Sequence, residues 1–462
     1  MKRTLTLVVA LALVATMLLT LVSCGDNETA AQGVDTENHV IHVGNTAATT
    51  GAFATVGVPF NYAQEAYFWY FTNHMGGYKD ADGNLYTIEL KHYDDGFDGT
   101  KGKTYTQKLV EEDKVFALVG HFGTNTVGAT VEYITEQGIP MVYGVCGVSD
   151  LYNTDRNIMT VQPIYDTEGQ SMVATAFAPV EAGGLGATKL GVISTTDDAG
   201  KGMLNGIKIE VERLGKGDVV TYAEGSASAT DYAAQVTALK NAGCDVVIIA
   251  ANQAPFMNIA KAFVGAQYDN VKILTSYVSA NSATMGALLA DGAISETRSI
   301  YAGAWLVTGS VPDTSFKGWN DFVEFVKVVS LYDQAMGNPV LKLDDASWGG
   351  LLTLYFGDQE WAQNGVSANF LNSYAMAGYV SANVFCQGLS RMSGETLTWE
   401  AFIDAMESAP MNIPMGQSVD YANGKRVGID SLAVNVYTVE NAAGTLYRQI
   451  TDLATLEAAI KK

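Results

Sequence analysis

Residues 189–222 read KLGVISTTDDAGKGMLNGIKIEVERLGKGDVVTY, and this stretch decides the fold. Apolar runs at 189–194 and 218–222 have the length and composition of buried strands. Between them, apolar residues recur at helical spacing: Met203, Leu204, Ile207, Val211 and Leu214. A strand, a helix and a second strand in this order predict a βαβ unit, whose strands lie parallel in one sheet.

The same alternation continues on both sides of this unit. We predict further strands at residues 40–43, 86–93, 115–119, 140–143, 245–250 and 271–275, and helices at 201–214, 231–242, 255–266, 316–336, 370–389 and 399–407. Residues 246–249 are apolar on both faces, which is typical of strands covered by helices on both sides. The strands fall into two blocks, 40–160 and 189–275. The sequence therefore predicts an α/β fold with two doubly wound parallel-sheet lobes, and a ligand cleft where the carboxyl ends of their strands face each other.

Composition excludes several classes of protein. The 462 residues carry a formal net charge of −22 and are 48% hydrophobic. A disordered chain is therefore excluded, and so is a nucleic-acid binder, which needs clustered Lys and Arg. Cys146, Cys244 and Cys386 are too few and too widely spaced for a disulfide framework or a structural zinc site. We expect no metal and no cofactor.

The first 23 residues are typical of a secretory signal peptide, since Lys2 and Arg3 precede an apolar run at 5–18. Leu21-Val22-Ser23-Cys24 resembles a bacterial lipobox, in which the cysteine becomes the acylated first residue. An ordinary signal peptide with a chance cysteine is the alternative. Residues 24–38 are polar and indicate a flexible tether. We predict that lipidated Cys24 holds the domain at the outer face of the cell membrane, and that this anchor is the only membrane contact.

An ordered set of short motifs is similar to a known family. The motifs are Thr50-Gly51-x-x-Ala54-x-x-Gly57, Gly76-Gly77, Asp94-Asp95, Val119-Gly120, Gly123-Thr124-Asn125-Thr126, Gly138-Ile139-Pro140, Gly200-Lys201-Gly202 and Asp420-Tyr421-Ala422-Asn423-Gly424. Together, over residues 40–437, they resemble the branched-chain amino acid binding family, the type I solute-binding proteins of ABC transporters. The resemblance implies two lobes that are joined by three chain crossings and close around a ligand.

The resemblance also implies the lobe boundaries. Lobe 1 is expected to comprise 39–161 and 301–414, and lobe 2 to comprise 162–300 and 415–462. The crossings are then expected near residues 159–163, 300–304 and 412–417. Residues 331–369 exceed what the family needs, and we interpret them as an insertion of unknown purpose.

The loop of Gly123, Thr124 and Asn125 is the first candidate binding segment. By resemblance, Thr124 stands where the family has a serine that binds the ligand carboxylate. A helix is expected to begin near Thr126, and its N-terminus would offer free N–H groups and positive potential to a carboxylate. Helix capping by Thr124 or Asn125 is the alternative, and one loop can do both.

The next candidates, Val145 and Cys146, depart from the family pattern of small residues and threonine. Gly147 beside them lacks the hydroxyl that often contacts the ligand in the family. Cys146 lies near the expected cleft, but a nucleophilic cysteine needs a base, and none is evident in the sequence. We interpret Cys146 as a small buried residue.

Lobe 2 departs from the pattern as well. Ala199 stands where an aromatic residue of the family commonly covers the ligand. In lobe 1, Val56 likewise stands where relatives carry an aromatic residue. Asn252 and Gln253 supply amide groups in place of another aromatic residue. These departures indicate that the pocket has been rebuilt.

Tyr277 is the departure with the most consequence for ligand class. Relatives that bind amino acids often place an acidic residue near this position, where it pairs with the ligand ammonium. A buried ammonium without a counter-charge is costly. Asp197 or Asp198 could supply the charge, although a solvated loop or a helix cap also explains this pair. If neither supplies it, the ligand is not an α-amino acid.

Two aromatic residues complete the candidate site. Phe53 lies on the first loop and could face the cleft. Tyr374 belongs to a helix pattern with Met376 and Val380, where it forms either an aromatic wall of the cleft or part of the core. His121 is a candidate polar lining residue, and Asp94, Asp95 and Asp98 are expected to form a solvated loop.

No catalytic motif stands out: the five histidines, for example, lack His-Glu-x-x-His spacing. We predict that the protein is not an enzyme. We predict instead a solute-binding lipoprotein of an ABC importer, which captures a small polar solute, an amino acid or a related compound, by closure of its lobes. It is expected to act as a monomer with ABC permease subunits as partners. The alternative is a lipid-anchored ligand-sensing module that signals through a partner receptor.

Overall fold

The computed structural model describes residues 30–51, 54–152, 156–306, 314–422, 426–442 and 444–461. Its strands are β1 (Val34–Asp35), β2 (Val40–Ala47), β3 (Tyr78–Lys79), β4 (Leu85–Asp94), β5 (Ala117–Phe122), β6 (Met141–Val145), β7 (Leu190–Thr195), β8 (Val220–Gly225), β9 (Val246–Ala250), β10 (Lys272–Thr275), β11 (Ile300–Ala304), β12 (Val340–Leu341), β13 (Val366–Ser367), β14 (Ser431–Tyr437) and β15 (Thr445–Asp452). Its helices are α1 (Ala54–His74), α2 (Gly99–Glu111), α3 (Thr124–Gln137), α4 (Tyr165–Phe177), α5 (Asp198–Arg213), α6 (Ala233–Ala242), α7 (Gln253–Gly265), α8 (Ser282–Ala290), α9 (Trp319–Met336), α10 (Leu351–Phe356), α11 (Ser373–Arg391), α12 (Trp399–Glu407) and α13 (Leu453–Ile460).

The first sheet has the strand order β3-β4-β2-β5-β6, and β1 adds to β2. Strands β4, β2, β5 and β6 run parallel, and the short strands β1 and β3 pair antiparallel at the side. The carboxyl ends of the parallel strands therefore lie on one edge of lobe 1. The strands predicted at 40–43, 86–93, 115–119 and 140–143 are confirmed.

The second sheet has the strand order β15-β14-β11-β10-β9-β7-β8. Its parallel strands are β8, β7, β9, β10 and β11. Strand β14 pairs antiparallel with β11, and β15 pairs antiparallel with β14. Every residue of β9 is buried, which explains why this strand is apolar on both faces. The two sheets confirm the predicted α/β fold with two mostly parallel lobes.

Helices α1 and α11 pack side by side in lobe 1 and run in the same direction. Gly378 permits the close approach, because a Cβ atom there would lie 2.0 Å from the Phe60 carbonyl oxygen. One turn further along both helices, the Gln64 amide donates to the Ser381 hydroxyl (2.7 Å). This register places the start of α11 level with the start of α1, at the carboxyl edge of the first sheet.

Two of the expected lobe boundaries differ in the structure. The boundary at residue 301 falls inside β11, which pairs along its whole length with β14 of the second sheet. Residues 412–417 do not cross between the lobes, because the Met415 amide donates to Asp321 of α9 (3.0 Å). Instead, residues 426–429 run beside the first crossing, where the Ile429 amide donates to the Val161 carbonyl (3.0 Å). The expected third crossing is therefore wrong, and the structure places it after residue 425.

Candidate functional site

Helix α3 begins at the edge where β5 and β6 end. Gly123 precedes it with a φ of 103°, a conformation that favours glycine, and its amide donates to the Val145 carbonyl (3.1 Å). Within the described part of the chain, no side chain caps the first turn of this helix. Asn125 is exposed, and its amide donates to the Phe97 carbonyl (3.3 Å). Capping by Thr124 or Asn125 is therefore wrong, and the first-turn N–H groups give this edge a positive potential.

Thr124 and Cys146 lie together on the lobe 1 side of the cleft. Thr124 is half-buried, and it lies close enough to Cys146 to lower the pKa of the thiol. Burial outweighs this effect and raises the pKa of Cys146 to about 11. The thiol therefore stays protonated at neutral pH and is not a nucleophile, which agrees with its interpretation as a small buried residue. Val145 beside it is half-buried.

Asp198 approaches this pair from lobe 2. It lies in the first turn of α5, is exposed, and is close enough to Cys146 to raise the pKa of the thiol. Asp198 of lobe 2 therefore lies within electrostatic range of Cys146 of lobe 1.

Asp197 has a different role from that of its neighbour Asp198. It caps α5 by accepting from the Gly200 amide (3.2 Å), and it also accepts from the Thr195 hydroxyl (2.6 Å). The Asn252 amide donates to its other oxygen (3.3 Å). The helix-cap interpretation of Asp197 is therefore confirmed. Gln253 donates instead to the hydroxyl of Thr284 in α8.

Tyr277 is held in place by a buried carboxylate from α4. Glu168 is fully buried and accepts from the Ser276 hydroxyl (2.8 Å) and the Tyr277 amide (2.9 Å). The Tyr277 hydroxyl donates to the Pro163 carbonyl in the first crossing (2.9 Å). Burial raises the pKa of Glu168 to about 7, because the charged form is poorly solvated there. An acidic residue therefore lies against the Tyr277 loop, although it comes from another part of the chain.

Sequence reasoning missed two residues of this region, Tyr165 and Glu168. Both lie in the first turn of α4, directly after the first crossing. The available signal was a glutamate at helical spacing between Tyr165 and Met172, two residues that favour a buried face. A buried acidic residue of this kind is rare unless it has a specific role.

Three other expectations have different outcomes. Phe53 lies outside the described residues. Tyr374 is half-buried in the first turn of α11, near the carboxyl edge of lobe 1, and no described hydrogen bond joins its side chain to Thr124 or Tyr277. His121 does not line the cleft: it is fully buried between Thr106 and Thr130, and burial lowers its pKa to about 3.

The loop of Asp94, Asp95 and Asp98 is not simply solvated. Asp95 is fully buried and accepts from the hydroxyls of Thr46 (3.0 Å) and Thr126 (2.6 Å). Asp98 caps α2. The expectation is therefore wrong for Asp95, whose carboxylate joins β2 to the first turn of α3.

Comparison with known proteins identifies the family. A family model described as periplasmic binding protein matches residues 40–305, more than half of the chain. The chain belongs to the periplasmic binding protein family. The two lobes and their strand orders are those of its type I fold, as the resemblance implied.

Three proteins show which members this periplasmic binding protein is similar to. The amino acid binding protein of Pseudomonas aeruginosa is 26% identical over 160 residues, which are 35% of this chain and 41% of the relative, so the chain spans about two fifths of that protein's length. The fatty acid ABC transporter substrate-binding protein from Thermomonospora curvata has a TM-score of 0.67 at 18% identity, over 94% of this chain and 97% of that chain. An ABC transporter solute binding protein from Rhodopseudomonas palustris HaA2, in complex with p-hydroxybenzoic acid, has a TM-score of 0.63 at 19% identity, over 89% and 96%.

As a periplasmic binding protein, the chain belongs to a family of ligand-binding proteins and not of enzymes. The family description indicates a location outside the cytoplasm. In the part of the chain that the structure describes, none of the helices has the length and apolar character needed to cross a membrane. The predicted signal peptide and Cys24 lie outside the described residues.

Proposed function

We propose that this binding protein captures a small solute with a carboxylate group, an amino acid or a related compound, in the cleft between its lobes. The observation that carries the proposal is the start of α3, which has no side-chain cap and lies beside the Thr124 hydroxyl. A carboxylate there would accept from first-turn N–H groups and from Thr124. The amino acid, fatty acid and p-hydroxybenzoic acid named for the three similar proteins all carry a carboxylate.

An amino acid would also need a partner for its ammonium group. Asp197 already caps α5, and both oxygens of Glu168 accept hydrogen bonds from Ser276 and Tyr277. Asp198 is exposed and lies near Cys146, so its charge is available on the lobe 2 side of the cleft. We therefore propose that Asp198 pairs with the ammonium group of the ligand. An amino acid zwitterion would then bridge the two lobes.

Closure would follow from this bridge. A ligand that contacts Thr124 in lobe 1 and Asp198 in lobe 2 binds the closed form better than the open form, and this difference in affinity shifts the population. The closed form would then dock on the permease. Lipidated Cys24 would keep the protein close to that partner at the outer face of the membrane.

A thermal-shift screen of the domain from residue 30 onward tests the proposal. Leucine is compared with 4-methylpentanoate, which lacks the ammonium, and with leucinamide, which lacks the carboxylate; octanoate and 4-hydroxybenzoate extend the panel. Binding to the native state stabilises it by about 2.7 kcal/mol at a hundredfold excess over Kd. We expect a shift with at least one acid and none with leucinamide. A shift in melting temperature with leucinamide would contradict the carboxylate site. No shift with any compound of the panel would contradict the proposal as a whole.

A further inference from the structure

Arg448 lies on β15, and its side chain reaches toward α4 in lobe 2. The residue is only 7% exposed. Its Nη1 atom donates to the Thr175 hydroxyl of α4 (3.0 Å) and to the Gly183 carbonyl (3.2 Å). Its Nε and Nη2 atoms are also buried, but no described residue accepts a hydrogen bond from either of them. Buried donors normally have a partner, so these two nitrogens require an explanation.

The other two buried arginines of the described chain are fully paired. Arg298 and Arg426 donate from all three of their side-chain nitrogens. Each also forms an ion pair, Arg298 with Asp269 and Arg426 with Glu407. Burial lowers the pKa of Arg448 to about 10, so its guanidinium is charged at neutral pH. A buried charge without a counter-ion is costly, and Arg448 therefore differs from both in what it needs.

A β-bulge in β15 directs Arg448 to this place. The pairing of β14 and β15 shifts between Val434 and Asn435, which leaves Tyr447 as an extra residue in β15. Adjacent residues of a regular strand point to opposite faces, but Tyr447 and Arg448 both contact the loop after α4. The Tyr447 hydroxyl donates to the Gly184 carbonyl in that loop (2.6 Å).

A second cation reaches the same loop. The Lys272 ammonium of β10 donates to the Leu185 carbonyl (2.7 Å). Three successive carbonyls, at 183–185, therefore accept from Arg448, Tyr447 and Lys272 in turn. Among the described residues, no acidic side chain forms an ion pair with either cation. This part of lobe 2 thus holds two positive charges and no paired carboxylate.

The two unpartnered nitrogens have the geometry that an oxyanion needs. Nε and Nη2 are neighbours on the guanidinium and can donate two parallel hydrogen bonds to two oxygens of a carboxylate or phosphate. We propose that Arg448 binds a small oxyanion between β15 and the loop at 179–186. Glu181 and Gly186 of this loop are exposed, so a shift of the loop is enough to admit the anion.

This oxyanion site is separate from the cleft. Helix α4 begins at Tyr165, directly after the first crossing, and Thr175 lies in its last turn, at the other end of the helix. The inference therefore goes beyond the proposed function and does not depend on it.

Equilibrium dialysis of the purified protein with labelled phosphate or labelled acetate tests the site. Arg448→Met removes the guanidinium and keeps an apolar stem. The control Lys208→Met removes an exposed positive charge of the same lobe, and Thr124→Val changes the cleft. We expect Arg448→Met to bind one oxyanion fewer per chain than wild type, whereas both other variants should retain this binding. Whether phosphate or acetate binds more tightly identifies the kind of anion.

The melting temperature separates an anion site from a purely structural role. In sodium chloride alone, Arg448→Met should melt at the wild-type temperature or above, because a buried charge without a counter-ion is removed. Replacing chloride by the bound oxyanion at the same ionic strength should raise the melting temperature of wild type and Lys208→Met by several degrees, but not that of Arg448→Met.

Two results would overturn the inference. One is equal binding of phosphate and acetate by wild type and Arg448→Met. The other is an Arg448→Met protein that melts several degrees below wild type in sodium chloride alone, since Arg448 would then support the fold without an anion. Either result leaves the proposed function of the cleft standing.

Discussion

The two sides of the cleft differ in charge. The lobe 1 side offers neutral donors: the Thr124 hydroxyl and the first turn of α3, which has no side-chain cap. The lobe 2 side carries three acidic residues, Glu168, Asp197 and Asp198, of which the first two already accept hydrogen bonds within the protein. The difference teaches that residue type alone does not identify a ligand-binding acid. What matters is whether its oxygens are already occupied.

The largest effect that this comparison predicts is the change with pH of the contribution that Glu168 makes to the free energy of unfolding. Its pKa is raised from 4.5 to about 7 in the folded protein, so the folded state binds the proton more tightly than the unfolded state. Its contribution to stability is complete below about pH 4.5 and is lost as pH rises through about 7. At about 1.4 kcal/mol per pKa unit, the change is ~3 kcal/mol.

Urea denaturation of wild type and Glu168→Gln between pH 4.5 and 8 measures this contribution. The difference between the two isolates Glu168 from all other titrating groups. We expect the variant to gain ~3 kcal/mol relative to wild type over this range. A constant difference would mean that folding does not raise the pKa of Glu168, and this prediction would be wrong.

The next largest effect is the loss of ligand affinity expected from a change at Thr124, on the lobe 1 side of the cleft. Thr124→Val removes the hydroxyl and keeps the shape, and we expect about 10- to 100-fold weaker binding of the acid that binds wild type. The free energy of unfolding without ligand should change by less than about 0.5 kcal/mol, because Thr124 does not cap its helix. Thr124→Ser is the control and should retain most of the affinity. Weaker binding in Thr124→Ser with unchanged binding in Thr124→Val would show that the methyl group, and not the hydroxyl, contacts the ligand.

A smaller effect is expected for Asp198→Asn, and only for ligands with an ammonium. Leucine should bind about 10-fold more weakly, whereas octanoate should bind unchanged, since only leucine needs the counter-charge. Asp218→Asn removes an exposed charge that precedes β8 and serves as the control. Calorimetric titration with leucine and with octanoate shows whether Asp198 binds the ammonium group or supports the structure of its loop. A loss for octanoate as well would assign Asp198 to the structure of the loop.

The smallest effect concerns Asp197, which we place in the protein's own structure. Asp197→Ala should destabilise the protein by about 1 kcal/mol, the usual cost of losing a helix N-cap. Asp197→Asn, which can still cap α5, should cost much less. Urea titration without ligand measures both. If Asp197→Ala unfolds as wild type does but binds leucine more weakly, Asp197 and Asp198 have exchanged roles.

Local pattern predicted most of the architecture. Strands such as β9 and helices such as α5 were evident because apolar residues repeat at the period of each element. The cap at Asp197 could be named as an alternative because capping involves residues that are close in the sequence. Thr124 and Asp198 were placed near each other by the family resemblance, which supplied the arrangement of the lobes.

Pairings between distant segments could not be predicted in the same way. The third crossing was misplaced because the extended segment at 411–437 gives no sign of which stretch lies beside it. Tyr165 and Glu168 were missed because their spacing in α4 is that of an ordinary buried helix face. What distinguishes them is contact with Gly147 and Ser276, and neither is a neighbour in the sequence.

The packing of Tyr165 against Gly147 constrains how this protein can evolve. Any side chain at position 147 would collide with the ring, so position 165 must become smaller before position 147 can become larger. The two positions should therefore covary among close homologues, with glycine at 147 accompanying an aromatic residue at 165. A lineage that changes this pair has only one permitted order of substitutions.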